Sequence, residues 1–155
     1  AAASAAELLL DRYPDLSRLY SIGMAGALVQ PLRTGDIVWG NEVSDAEDSS
    51  VLPLCSLPDG LSVSGKIHSG GIVCCSVFVD NEKRRELLRS RFGGICAEME
   101  SAGVAQVCRR RGAEAAAVKV ISDNADSTAM RSILRAQISV TEALGMWLHS
   151  VRRFL

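Results

Sequence analysis

The sequence predicts an α/β fold with a mostly parallel or mixed sheet. Three observations carry this. Short runs of β-branched and small apolar residues alternate along the chain with helical stretches. Glycines and prolines punctuate the boundaries between them. Acidic residues stand just past two of the strand-like runs, in Ala97-Glu98-Met99-Glu100 and in Ser122-Asp123-Asn124-Ala125-Asp126. Open α/β folds take their ligands at the carboxyl ends of strands, so the stretch from Gly93 to Asp126 is where function is expected.

In order, Ala2 to Tyr13 reads as a helix of alanines and leucines, stopped by Pro14-Asp15. Leu19 to Gly23 is a short strand, and Gly23-Met24-Ala25-Gly26-Ala27-Leu28 a small-residue turn. Leu32 to Asp36 makes a second turn before a strand at Ile37-Val38-Trp39. Val43 to Gly60, polar and acidic with Pro53 and Pro58, reads as a loop. Leu61 to Val79 holds β-rich runs broken by Gly65, Gly70 and Gly71. Asp80 to Arg91 is a charged amphipathic helix with Asp80 as its N-cap, and Glu82 and Glu86 support Arg85 and Arg89 as ion pairs along it. Ile95 to Ala97 is a short strand. Met99 to Arg111 is a helix of small apolar residues that Gly112 ends, its basic run suiting the helix dipole. Ala115 to Ile121 is a buried strand. Asp126 or Ser127 caps a last helix, with Met130, Ile133, Leu134, Ile138, Leu144, Leu148 and Val151 at helical spacing.

The bulk properties narrow the function. The 155 residues, 48% hydrophobic, suffice for one domain over 1–155 with a real core. A net charge of −1 gives no ground for nucleic-acid partners or an anionic membrane surface. No apolar run approaches the ~18 residues of a membrane span. The Ala-rich start has no basic segment ahead of an apolar one, so it does not read as a signal peptide. Without an initiator Met, the sequence is open to being a piece of a longer one. The five cysteines include no C-x-x-C pair and read as small buried hydrophobes of a reducing, cytoplasmic compartment. The two histidines have no partner at ligand spacing, so no metal site is expected.

Chemistry is expected of a few groups. Glu98 and Glu100 flank Met99 at a strand-to-helix junction, where free backbone N–H groups favour anions. A carboxylate held there can accept two vicinal hydroxyls, as a ribose presents them; a plain capping pair has the same pattern. Asp123 emerges at the sheet edge, where partial desolvation favours a protonated carboxyl and general-acid work; a turn or N-cap aspartate is the alternative. The glycines around Met24 and Ala25 allow close backbone approach. They do not make a dinucleotide fingerprint, since G-x-G-x-x-G is absent. Phe78 could stack on a planar ring or fill the core.

Together these segments resemble the nucleoside phosphorylase and nucleosidase superfamily, most closely its branch that hydrolyses 5′-methylthioadenosine and S-adenosylhomocysteine. Gly23-Met24-Ala25-Gly26-Ala27-Leu28 with Leu32 to Val38 is similar to G-S-A-G-G-L … L-x-x-G-D-I-V. Gly71 to Val79 is an altered G-x-I-x-S-G-D-x-F-I. Ala97-Glu98-Met99-Glu100-Ser101 is similar to V-E-M-E-A/G, and Lys119 to Asp126 to R-x-I-S-D-x-A-D. The resemblance implies a three-layer fold with a twisted mixed sheet flanked by helices. It implies that Asp123, helped by Ser122, protonates N7 of a departing adenine. Glu100 and the Met99 backbone would bind the ribose hydroxyls, with Glu98 as support. Phe78 would stack on the base and the Val79 backbone read its edge, while Met24, Ala25, Gly26 and Lys119 complete the substrate site. No cofactor is implied; a purine nucleoside and a second copy of the chain are the implied partners.

The departures gather at one end of the site. The family's water-activating glutamate lies in opening strands that would precede Ala1. Its turn serine is Met24 here, its S-G-D is Cys74-Cys75-Ser76, and its arginine is Lys119, which keeps the charge but loses the planar fork. Ser21 and Met24 stand where the phosphorolytic branch binds phosphate, which favours hydrolysis. The resulting expectation is hydrolysis of an adenine nucleoside. Its alternatives are a non-catalytic nucleoside-binding or interaction protein and, less favoured, a purine nucleoside phosphorylase.

Overall fold

A computed structural model describes residues 1–58, 66–123 and 145. Its elements are α1 (Ala2–Arg12), β1 (Arg18–Ala27), β2 (Ile37–Asp45), β3 (Val51–Pro53), β4 (Ile67–Cys74), α2 (Glu82–Phe92), β5 (Cys96–Glu98), α3 (Ser101–Arg111) and β6 (Glu114–Asp123). The six strands form one mixed sheet in the order β3-β2-β4-β5-β1-β6. β1 runs parallel to β6, and β4 parallel to both β2 and β5, while β1 and β5 are antiparallel. The sheet curls until Ile37–Trp39 of β2 pair antiparallel with Val118–Val120 of β6. The α/β expectation therefore holds, with a mixed sheet flanked by helices.

The core follows the alternation of the strands. In β6, Ala115, Ala117 and Ile121 join Ala6 and Leu10 of α1 and Ala102, Ala105, Val107 and Cys108 of α3 in one apolar cluster. The intervening Ala116, Val118 and Val120 pack with Ile37 and Trp39 in a second, as the two-residue period of a strand requires. Leu88 of α2 packs on Leu28, Val73, Cys75 and Ala97 in a third. Small residues in α1 and α3 let these helices lie close together: a Cβ on Gly103 would sit 3.3 Å from that of Ala3.

Several boundaries move. The small-residue stretch Gly23–Ala27 is strand, not turn. It pairs with β6 on one side and, at Gly26 and Ala27, with β5 on the other; tertiary pairing overrides the turn propensity of its glycines. The supposed loop from Val43 contains the end of β2 and all of β3. Cys75 to Val79 leaves the sheet. Asn81, not Asp80, caps α2, its side chain accepting from Arg84 N. Helix α3 starts at Ser101, so Met99 and Glu100 precede it. The carboxyl end of β6 extends through Ser122 and Asp123. The segment around Leu61 and the last helix lie outside the described residues, apart from Gly145, which is helical.

All five cysteines are free thiols, four of them buried. Burial, with the Glu98 carboxylate nearby, pushes the Cys96 thiol up to about 12, so it stays a neutral hydrophobe. Among the described residues no group of side chains is arranged to hold a metal ion, and no helix is long and apolar enough to cross a membrane.

Candidate active site

The parallel pair β1–β6 ends where β5 gives way to α3, and the candidate residues converge there. β1 supplies Met24, Ala25 and Gly26, and β6 supplies Lys119, Ser122 and Asp123. The β5–α3 junction supplies Glu98, Met99 and Glu100. The segment after β4 supplies Phe78 and Val79. Cys75 anchors that segment: its N donates to Glu98 O at 2.9 Å, and its Sγ donates to Val77 O at 3.4 Å. A cavity of about 240 Å³ is lined by Met24, Ala25, Gly26, Phe78, Val79 and Glu98, with Met99, Glu100 and Ser122. Nine of the eleven residues singled out in the sequence therefore meet around one space. Phe78 and Met99, both part of its lining, are 42% and 48% exposed, more than core packing leaves to such side chains.

The two remaining residues sit behind the wall. Lys119 is 1% exposed. Its Nζ lies 2.8 Å from Glu98 Oε2 and donates to Ser21 Oγ at 3.0 Å, with Glu100 Oε2 at 4.0 Å. It also borders a second cavity of about 470 Å³ between α1 and β1, which shares Met24 and Glu100 with the first.

Glu98 does the capping that the sequence left divided between two glutamates. Its carboxylate accepts from Glu100 N at 3.1 Å and from Ser101 N at 3.0 and 3.1 Å, and lies 2.8 Å from Ser101 Oγ. Burial alone would push its carboxyl up. The Lys119 ammonium and the hydrogen bonds from Lys119 and Ser101 outweigh burial and hold it below the ordinary value. With both oxygens occupied, Glu98 is a support. Glu100, whose side chain is 55% exposed, is the carboxylate open to the cavities.

Asp123 is 3% exposed. Ser122 Oγ donates to its Oδ1 at 2.8 Å, and Arg85 Nη2 donates to its Oδ2 at 2.7 Å. The strand neighbour Gly26 admits this carboxylate, since a Cβ there would approach Oδ1 to 3.2 Å. Arg85 is the site residue the sequence did not reveal. Read along α2 it belongs to a row of surface charges. The Glu86–Arg89 pair is on the surface as expected, at 2.8 Å, but Arg85 turns inward and is 3% exposed.

A family model described as "Phosphorylase superfamily" matches residues 59–146, more than half of the chain. An aminodeoxyfutalosine nucleosidase of Helicobacter pylori is 29% identical, over 86% of this chain and 64% of its own length. A 5′-methylthioadenosine/S-adenosylhomocysteine nucleosidase of Geobacillus thermodenitrificans is 30% identical, over 79% of this chain and 61% of its own. The chain thus spans somewhat under two thirds of these relatives. Among solved structures, the Neisseria meningitidis 5′-methylthioadenosine/S-adenosylhomocysteine nucleosidase in complex with methylthio-immucillin-A superposes with a TM-score of 0.86, 99% of this chain covering 76% of that one. At 20% identity this likeness shows the fold alone.

Proposed function

The chain belongs to the phosphorylase superfamily, and on that premise we propose that it is part of a nucleosidase that hydrolyses the N-glycosidic bond of an adenine nucleoside. The observation that supports this most is the single cavity shared by an exposed aromatic ring at Phe78, an open carboxylate at Glu100 and the Ser122 hydroxyl, which donates to the Asp123 carboxylate behind it. A purine, a ribose diol and a leaving-group acid need those three groups.

In this reading the base lies against Phe78, with the Val79 backbone at its edge. Glu100 accepts hydrogen bonds from the 2′- and 3′-hydroxyls. As the C1′–N9 bond breaks, its electron pair goes to the base, and N7 takes a proton from Asp123. The charge left on the sugar is oxocarbenium-like, and the Glu100 carboxylate stabilises it electrostatically. Water adds its hydroxyl to C1′, and its remaining proton restores the acid–base balance of the site. Lys119 and Glu98 keep the β5–α3 junction in place.

The relatives are named for 5′-methylthioadenosine, S-adenosylhomocysteine and aminodeoxyfutalosine, so these are the substrates to assay, using the full-length protein. Release of adenine from at least one of them, independent of phosphate, is the expected result. Phosphate-dependent release would make the protein a phosphorylase. Adenine binding without any release would make it a non-catalytic binder. A homodimer belongs to the same proposal; light scattering on the purified protein reads it.

A further inference from the structure

Helix α2 buries only two of its residues, Leu88 and Arg85. A guanidinium is costly to bury, and an apolar side chain of similar volume is often at least as stabilising at such a position. Arg85 is nonetheless enclosed, and it contacts three segments that border the candidate cavity. Nη1 donates to Ala27 O, at the end of β1, at 3.0 Å. Nη2 donates to Val79 O, at the end of the Phe78 segment, at 3.5 Å, and to Asp123 Oδ2, at the end of β6, at 2.7 Å. Ser122 holds the other oxygen of the same carboxylate.

We propose that Arg85 is the positioning residue of the purine half of the site: its planar fork fixes the Asp123 carboxylate and the Val79 segment relative to each other, so that acid and base-facing backbone meet one purine. The proposal rests on the adenine nucleosidase reading and extends it to a residue on a helix that does not touch the cavity. A planar fork suits the task because it donates in several fixed directions at once, which an ammonium does not. Acting through Asp123, Arg85 sets the geometry of proton transfer, where a misplacement of ~1 Å costs about 100-fold in rate.

The test compares Arg85→Met, Arg85→Lys, Asp123→Asn and the double variant Arg85→Met/Asp123→Asn in the full-length protein, below the unfolding temperature of each. Arg85→Met is expected to lower kcat for adenine release by about 100-fold, with a much smaller change in KM because the Glu100 contacts remain. Arg85→Lys recovers part of the lost kcat. In adenine binding, Arg85→Met weakens affinity in the wild-type background but adds little to Asp123→Asn, the non-additivity expected of residues that act as a unit. A folded Arg85→Met with unchanged kcat overturns the proposal, and so does an equal loss of adenine affinity in both backgrounds. Should Arg85→Met not fold, Arg85→Gln, which keeps a donor for Ala27 O, carries the same readouts. A wild-type protein that binds adenine but releases none from any nucleoside overturns the hydrolase reading alone, and the adenine-binding cycle then decides the role of Arg85 by itself.

Discussion

Two ion pairs are buried four residues apart along β6, and they serve different ends of the candidate site. Lys119–Glu98 joins neighbouring parts of the sheet and fixes the first turn of α3; it is enclosed among Ser21, Ser101 and backbone N–H groups. Asp123–Arg85 joins the last residue of β6 to a helix packed over its end, beside Gly26 and Ser122, which both line the cavity. The first pair is built from members of two motifs. The second needs a residue that no motif contains. The first pair holds the turn that opens α3, whereas the second lies directly behind Ser122, which lines the cavity.

The largest effect should come from breaking the Asp123–Arg85 pair. Asp123→Asn cannot supply a proton to the leaving base, so adenine release by the full-length protein should be abolished while nucleoside still binds; unchanged turnover in that variant would sink the assignment of Asp123 as the acid. Breaking the inner pair should cost stability instead. Lys119→Met leaves the Glu98 carboxylate buried without its cation, for a loss of about 3–5 kcal/mol in denaturant unfolding. Adding Glu98→Gln should return much of it, and a fully additive double variant would show that the two groups are not coupled.

A milder change sharpens the contrast. Gly26→Ala places a methyl 3.2 Å from Asp123 Oδ1, a few tenths of an ångström too close. Stability should fall by about 1 kcal/mol, and adenine release by on the order of tenfold, since the carboxylate must shift by less than the ~1 Å that costs about 100-fold. Equal rates with equal stability would show that Asp123 has room to spare.

The smallest effect is a pH dependence of the inner pair. The Glu98 carboxyl is held below its ordinary value of 4.5 in the folded chain. Its contribution to stability is therefore present above that value and lost as pH falls through the lower, folded one. Unfolding free energy should decline as pH falls below 4.5, and less steeply in Glu98→Gln than in the wild type. Identical slopes would mean that other carboxylates carry the acid sensitivity.

The sequence by itself determined the α/β class, the helices near Ala2–Arg12 and Ser101–Arg111, and the convergence of Met24, Phe78, Glu100 and Ser122 on one place. The class and the helices rest on local periodicity, and the convergence on the resemblance of separate motifs to those of the superfamily. Only the tertiary structure decided that Gly23–Ala27 is a strand with partners on both sides, that Glu98 rather than Glu100 caps α3, and that Arg85 faces Asp123. Each of these depends on a contact between residues distant in the chain or on which face of an element is turned inward. Strand pairing gives the glycines extended conformations that their turn propensity does not favour. A charge on a short, mostly exposed helix looks like a solvated one until the neighbouring strand end shows what it was folded against.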